Sequence, residues 1–186
     1  MAGNKALLIC CFVVMVASDP TDVDCNLRQD LSALKNCCAY PKFMFEEFQN
    51  QCGRYMPAGA PRISPCLYEC IFNVTNTLVD SAIHPHNTKL MLERLVGPNP
   101  EFQDAYLNGL LSCTETVKEI MRERKPRKTD QCSPIAVLYG VCARKHVFNH
   151  CPSSSWSGTE TCEKARLQNL NCQSSKASRG YNNRLI

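Results

Sequence analysis

The stretch SPCLYECIFNVTNTL, residues 64–78, places two cysteines inside an amphipathic helix and thereby decides the fold. Ser64 and Pro65 are typical of an N-cap and a first helical position. The positions of one helix face follow at every fourth residue: Cys66, Cys70, Val74 and Leu78. This spacing predicts a helix to about residue 80. Because three residues separate the two cysteines, both project from the same face, and each can bridge a different neighbour.

Helical patterns continue along the rest of the chain. A short helix is predicted from Asn87, the longest from Asn99, and a third from Ser133. The longest helix repeats its buried face at three- and four-residue steps: Phe102, Tyr106, Leu110, Cys113, Val117 and Ile120. A last helix follows the capping-box sequence SGTE, residues 157–160, and runs through Leu170. Since no alternating strand pattern appears, we predict an all-α fold, a compact bundle of six or more helices.

The N-terminal residues predict a secretory leader. Lys5 precedes an apolar run, residues 6–17, that ends in small residues. We therefore expect a signal peptide over residues 1–18, with cleavage after Ser18 or, alternatively, after Ala17. The apolar run is shorter than the about 20 residues that a membrane-spanning helix needs. The expected protein is secreted and extracellular, without a membrane span.

The cysteine count indicates a disulfide framework. Two of the 14 cysteines lie in the predicted leader, and the remaining 12 can form six disulfides without a leftover thiol. We expect them to cross-link one helical domain, residues 19–172, that is followed by a polar C-terminal tail, residues 173–186. An oxidised, secreted chain argues against zinc thiolates and redox catalysis. The formal net charge of +4 is too small to indicate a nucleic-acid partner.

Motifs for catalysis and for metal binding are missing. His146 and His150 have the spacing of the H-E-x-x-H zinc motif, but the residues between them include no glutamate. Helical, disulfide-rich phospholipases carry C-C-x-x-H-x-x-C, whereas Pro41 stands in place of the histidine after Cys37 and Cys38. A G-x-S-x-G nucleophile motif is also missing. We therefore expect no enzyme, no cofactor and no metal site.

The order and spacing of the cysteines resemble those of insect odorant-binding proteins. The matching elements are Cys38-x27-Cys66-x3-Cys70-x42-Cys113 and Cys142-x8-Cys151. Further residues resemble the C-plus subgroup, which adds cysteines and a proline to the basic six: Cys132, Pro152 and Cys162. The resemblance covers almost the whole predicted domain, from about Cys25 to Cys172.

The resemblance implies a disulfide pairing in which six cysteines interlock, first with third, second with fifth and fourth with sixth. On this chain it gives Cys38–Cys70, Cys66–Cys142 and Cys113–Cys151, with Cys37 as an alternative to Cys38. Three further bridges are expected among Cys25, Cys37, Cys52, Cys132, Cys162 and Cys172. Within these we pair Cys132 with Cys162.

The resemblance also implies a function. It predicts helices around an apolar cavity, in a secreted carrier that transports small hydrophobic odorant-like molecules through aqueous lymph toward receptors. Candidate ligand-binding residues, each of which could instead be ordinary core, are Phe72, Leu78, Leu90, Met91, Leu95, Tyr106, Leu110, Leu138, Tyr139 and Phe148. The expected partners are a small hydrophobic organic ligand, an odorant receptor and, in a homodimer, a second copy of the chain. The alternative is a secreted disulfide-rich interaction protein without a small-molecule ligand.

Two further features concern modification and pH. Asn73 begins an N-glycosylation sequon that ends at Thr75. It lies inside a predicted helix, so its glycosylation is left open. His84 and His86 flank Pro85 in a predicted turn. They are either simply solvated or, when protonated near about pH 5–6, loosen the following helix and release ligand.

Overall fold

The computed structural model describes Cys25 and residues 35–59, 63–80, 82–123 and 132–172. In chain order the elements are α1 (Gln49–Cys52), α2 (Pro65–Val74), β1 (Leu78–Val79), β2 (Ala82–Ile83), α3 (Pro85–Val96), α4 (Pro100–Ser112), α5 (Thr114–Glu123), α6 (Ile135–Asn149) and α7 (Glu160–Asn171). Seven helices confirm the predicted helical bundle, and the two short strands are a small addition to it. Within the described ranges, no helix is long and apolar enough to cross a membrane. The predicted signal peptide and C-terminal tail lie outside these ranges.

Helix α2 begins where it was predicted and ends earlier. The Oγ atom of Ser64 accepts a hydrogen bond from the backbone N–H of Leu67 at 3.3 Å. The chain leaves the helix after Val74, and Asn76 and Asp80 adopt left-handed φ angles of 49° and 50°. Residues in this conformation cannot continue a right-handed helix. Strands β1 and β2 pair antiparallel here, so the predicted continuation of the helix to residue 80 was wrong.

Helices α3 and α4 both begin at a proline that follows a capping side chain. The Nδ1 atom of His84 accepts a hydrogen bond from the N–H of Asn87 at 3.3 Å. In the same way, Oδ1 of Asn99 accepts one from the N–H of Phe102 at 3.4 Å. His84 is therefore the N-cap of α3 and not part of a free turn, and α3 begins two residues before the predicted start at Asn87.

The predicted longest helix is divided into α4 and α5, which meet at Cys113. The hydroxyl groups of Ser112 and Thr114 donate hydrogen bonds to the carbonyls of Gly109 and Leu111, both at 3.0 Å. Such local bonds from side chain to backbone compete with the regular helical ladder and bend helices. The predicted buried face persists across the break in Phe102, Tyr106, Leu110, Cys113 and Val117.

Helix α7 begins two residues later than the capping-box sequence predicted. The Oγ1 atom of Thr159 accepts a hydrogen bond from the N–H of Cys162 at 3.4 Å. Gly158 has a φ of 64°, which L side chains rarely adopt, and so the chain turns before the helix starts. The hydroxyl group of Ser157 instead lies 3.1 Å from the Sγ atom of Cys162.

Helix α6 lies at the centre of the bundle and packs against α2, α4, α5 and α7. Its closest approach is to α4, at Gly109. A Cβ atom on Gly109 would lie 3.1 Å from both the Cα and the carbonyl oxygen of Ala143. Only glycine leaves room for this contact, because a helix backbone cannot move aside as a flexible side chain can.

Six disulfides form among the described cysteines, as predicted, but none of the predicted pairs is among them. Three bridges make an interlocked set: Cys52–Cys70, Cys66–Cys132 and Cys113–Cys142. Along the chain they join the first cysteine of the set with the third, the second with the fifth and the fourth with the sixth. The expected interlocking order is therefore correct, but it applies to a different six cysteines.

The four wrong pairs are Cys38–Cys70, Cys66–Cys142, Cys113–Cys151 and Cys132–Cys162. Their error lies in taking Cys38 and Cys151 as members of the interlocked set. The backbone around Cys38 pairs with the segment after α6, where Ala39 N–H donates to the carbonyl of Ser155 at 2.9 Å. This pairing brings Cys38 to Cys151, and the short helix α1 supplies Cys52 to α2 in its place.

The other three bridges make a nested set, in which each pair encloses the next: Cys25–Cys172, Cys37–Cys162 and Cys38–Cys151. They tie the N-terminal segment to the C-terminal segment around a second, small core. This core contains Cys37, Phe148, Cys162 and Ala165. Trp156 packs against it with its ring edge-on to Phe148, 5.4 Å between centroids.

Candidate functional site

A cavity of about 270 Å³ lies among α2, α3, α4 and α6 and is partly open to solvent. The segment that precedes α1 closes one side of it with Tyr40, Pro41, Phe43 and Phe45. The helices supply Tyr68, Phe72, Met91, Leu92, Leu95, Tyr106, Leu110, Gly140, Ala143 and Arg144, and Ile63 precedes α2. Most of these side chains are aliphatic or aromatic, so the cavity is suited to an apolar molecule.

Aromatic side chains pack against one another along one side of the cavity. Phe43 contacts the ring of Tyr106 edge-on, with 5.2 Å between centroids, and Phe45 edge-on at 5.8 Å. The ring of Phe45 lies 6.4 Å from that of Tyr68. Edge-on and tilted pairs at such distances stabilise each other's positions. These contacts hold the segment before α1 against the helices.

The cavity also has a polar part, made by three tyrosines and Arg144. The guanidinium carbon of Arg144 lies 5.1 Å from the ring centroid of Tyr40. Burial raises the pKa of Tyr40 to about 12, and the positive charge of Arg144 opposes part of this rise. Burial also raises the pKa of Tyr68 and of Tyr106, again against the charge of Arg144. All three hydroxyl groups are therefore protonated near neutral pH and close enough to Arg144 to feel its charge.

Gly140 shapes the cavity where α6 faces α2. The ring of Tyr68 lies so close to the Cα of Gly140 that a Cβ atom there would overlap it. An alanine at this position would displace the ring, which is the flexible partner of this contact. The glycine therefore holds the position of Tyr68 and, with it, the width of the cavity.

The structure places five of the ten predicted ligand-binding residues at the cavity: Phe72, Met91, Leu95, Tyr106 and Leu110. The other five lie elsewhere: Leu78, Leu90, Leu138, Tyr139 and Phe148. Leu90 is 47% exposed, on the outer face of α3, and Tyr139 is fully buried. Phe148 belongs to the second core, while Leu78 and Leu138 are half-buried against the main core.

Sequence reasoning missed the segment before α1. Phe43, Phe45 and Phe48 form an aromatic stretch, which was the available signal, but Phe48 is buried in the core while the other two line the cavity. Arg144 gave no signal, because its residue type on an amphipathic helix is typical of a solvated face. Only the packing of α6 shows that it borders the cavity.

His146 and His150 stack on the surface of α6, with 4.1 Å between ring centroids. Nδ1 of His146 lies 3.2 Å from the hydroxyl oxygen of Ser112, and Nδ1 of His150 lies 2.9 Å from the carbonyl of His146. Partial burial lowers the pKa of His146, and the neighbouring His150 lowers it further. Among the described residues, no group of three or more metal-ligating side chains occurs.

Asn73 lies exposed in the last turn of α2. The sequon's Thr75 donates its hydroxyl hydrogen to the carbonyl of Ile71 at 2.7 Å, so this side chain is already used to close the helix. The exposed amide of Asn73 is accessible for modification.

Residues 29–168 match the family model described as AgamOBP47-like. The match covers about three quarters of the chain and every residue that lines the cavity. No curated protein matches the chain.

Proposed function

Because the chain belongs to the AgamOBP47-like family of insect odorant-binding proteins, we propose that it is a secreted carrier of small hydrophobic, odorant-like molecules. The family is a binding and carrier family and not an enzymatic one. The proposed carrier takes up its ligand in aqueous lymph and releases it near a receptor. A receptor and a second copy of the chain are its proposed protein partners.

The observation that carries this proposal is the partly open cavity of about 270 Å³. Small-molecule sites have volumes of roughly 300–1,000 Å³ and are mostly apolar with a few polar groups. The cavity lies just below that range and has this composition, which favours a small ligand. Its opening offers a path for entry.

The disulfides support the proposed secretion. Six bridges persist only in an oxidising compartment, such as the extracellular space. They also fit the C-plus subgroup, to which we assign the chain. One of them, Cys113–Cys142, joins the end of α4 to α6, two helices that line the cavity, so a covalent bond fixes their relative position.

The proposal is tested with the neutral fluorescent probe N-phenylnaphthylamine and a matched pair of variants. Ile63 lines the cavity and is 45% exposed, whereas Leu90 is 47% exposed and lies away from it. An aspartate at either position is similarly tolerated by the fold. Ile63→Asp should weaken probe binding by about fivefold, because a charged group then borders an apolar site. Leu90→Asp should bind the probe as the unmodified protein does.

Small apolar compounds should also displace the bound probe. A protein that binds no probe would overturn the carrier proposal and favour the interaction protein without a ligand. Equal loss of binding in both variants would show that the probe binds outside the cavity.

A further inference from the structure

Among the described residues, Arg144 is the one charged side chain that borders the cavity. It projects from α6, is partly exposed and makes a cation–π contact with Tyr40. Among the described residues, no carboxylate lies within 4.0 Å of its guanidinium group; the ion pairs found there are Lys42–Glu46, Lys118–Glu115 and Lys164–Glu160. The cation therefore stands at an apolar cavity without an anion of the described chain to neutralise it.

Three tyrosines share the cavity lining with this charge. Tyr40, Tyr68 and Tyr106 all line the cavity, and the charge of Arg144 acts on each of them. None of the three hydroxyls has a hydrogen-bond partner among the described residues. Because they line a partly open cavity beside a cation, these hydroxyls can donate hydrogen bonds to an acceptor that binds there.

We propose that the cavity binds a medium-chain fatty acid, with the carboxylate on Arg144 and the tyrosine hydroxyls and the alkyl chain against the apolar wall. This inference deepens the carrier function proposed above and depends on it. It names the ligand class and the residue that selects it.

The chemistry favours a carboxylate over other head groups. The planar guanidinium group matches the two oxygens of a carboxylate in a bidentate pair. A single cation balances one negative charge, whereas a phosphate carries more. In the part of the chain that the structure describes, no acidic side chain lines the cavity, and so an amine would meet the positive charge of Arg144 without a counter-charge.

The apolar part of the lining suits an unbranched chain. Phe72, Met91, Leu95 and Leu110 come from three helices and present only carbon and sulfur atoms to the cavity. Methionine adapts its shape to different ligands. The volume of about 270 Å³ favours a short or medium chain, and decanoic acid is the probe of choice.

The experiment compares decanoic acid with decanol as competitors for the bound neutral probe. The two share their alkyl chain and differ in the head group. Decanoic acid should displace the probe from the unmodified protein at about a tenfold lower concentration than decanol does. This is the difference in affinity expected for one charge-assisted hydrogen-bonded pair. Arg144→Met should abolish this preference while probe and decanol still bind. Arg144→Lys should retain part of it.

Lys145→Met is the matched control. Lys145 is adjacent on α6, carries the same charge and does not line the cavity. This variant should keep the full preference for the acid. A second variant, Tyr106→Phe, removes one hydroxyl group and should weaken the binding of decanoic acid by about threefold and that of decanol by less, because hydrogen bonds to a charged acceptor are the stronger ones.

The outcomes separate this inference from the carrier function. Binding of the probe with equal displacement by acid and alcohol would overturn the fatty-acid assignment and leave the carrier intact. A preference that survives in Arg144→Met, or that is lost equally in Lys145→Met, would overturn the role of Arg144. If the unmodified protein binds no probe at all, the carrier function itself is contradicted.

Discussion

The interlocked disulfides join cysteines that are 18, 66 and 29 residues apart, whereas the nested disulfides join cysteines 113, 125 and 147 residues apart. The interlocked set joins α1 to α2, Cys132 to α2, and the end of α4 to α6; of these elements, α2, α4 and α6 line the cavity. The nested set closes the two ends of the domain on each other around a second core. One set therefore shapes the site, and the other holds the chain ends together.

The two sets of disulfides also differ in how they restrict the conformational entropy of the unfolded chain. A disulfide that closes a long loop removes more conformational entropy from the unfolded chain. Nested bridges share one loop, however, so once one has formed, the others close only short additional segments. Each nested bridge thus restrains the unfolded chain less than its separation along the sequence indicates. The interlocked bridges close loops that overlap without being contained in one another.

The strongest test removes one bridge from each set. Cys113→Ala with Cys142→Ala separates α4 from α6, both of which line the cavity. We expect a loss of about 2–5 kcal/mol in the free energy of unfolding and a probe affinity that falls about tenfold. Guanidinium unfolding and probe titration measure the two effects.

The matched variant is Cys37→Ala with Cys162→Ala, which removes a nested bridge. It should lower stability by a similar or smaller amount and leave probe affinity unchanged. If this variant loses the probe as readily as the first, the division between a set that shapes the site and a set that holds the ends is incorrect.

A smaller effect comes from one packing contact in each region. Gly109→Ala forces a Cβ atom against the backbone of Ala143 and should destabilise the fold by about 1–3 kcal/mol. The affinity of this variant for the probe should fall as well, because α4 and α6, which line the cavity, move apart. Urea unfolding and probe titration give the two values.

Trp156→Phe is the corresponding variant in the second core, around which the nested disulfides lie. Nε1–H of Trp156 donates to Glu163 at 2.6 Å, and the guanidinium of Arg166 lies 3.7 Å from the ring centroid. Loss of both contacts should cost about 1 kcal/mol without changing probe affinity. A Trp156→Phe protein with altered probe binding would show that the second core reaches the cavity.

The smallest expected effect is on pH dependence. Burial and His150 lower the pKa of His146, so the unfolded chain binds a proton at this site before the folded protein does. The stability from neutral His146 is present above about pH 6.5 and is lost as the pH falls through the folded-state pKa. His146→Gln should flatten this decrease between about pH 7.5 and pH 5. If the urea midpoint changes with pH by the same amount in the variant and in the unmodified protein, this prediction is contradicted.

Much of the helical framework could be predicted because its signals are local. Ser64 and Asn99 cap their helices as their residue types indicate, and the spacing from Phe102 to Val117 gave the buried face. Predictions failed where a local bond redirected the chain. The turn at Asn76 ended α2 early, and the hydroxyls beside Cys113 divided the longest helix.

The cavity was less predictable. The periodicity of a helix tells which face is buried but not whether that face meets another helix or an empty space. Tyr106 and Tyr139 read alike in the sequence, yet one borders the cavity and the other is enclosed in the core. The difference depends on how the segment before α1 folds over the bundle.

The sequence by itself determined the number of disulfides and the helical class, since these follow from cysteine count and periodic spacing, and the interlocking order was implied by the resemblance to insect odorant-binding proteins. Tertiary structure alone decided which cysteines pair and which side chains line the cavity. Cysteines are chemically identical along the chain, and a bridge forms only where packing brings two Cα atoms to about 5–6 Å. A cavity likewise exists only as the space that packed helices leave between them.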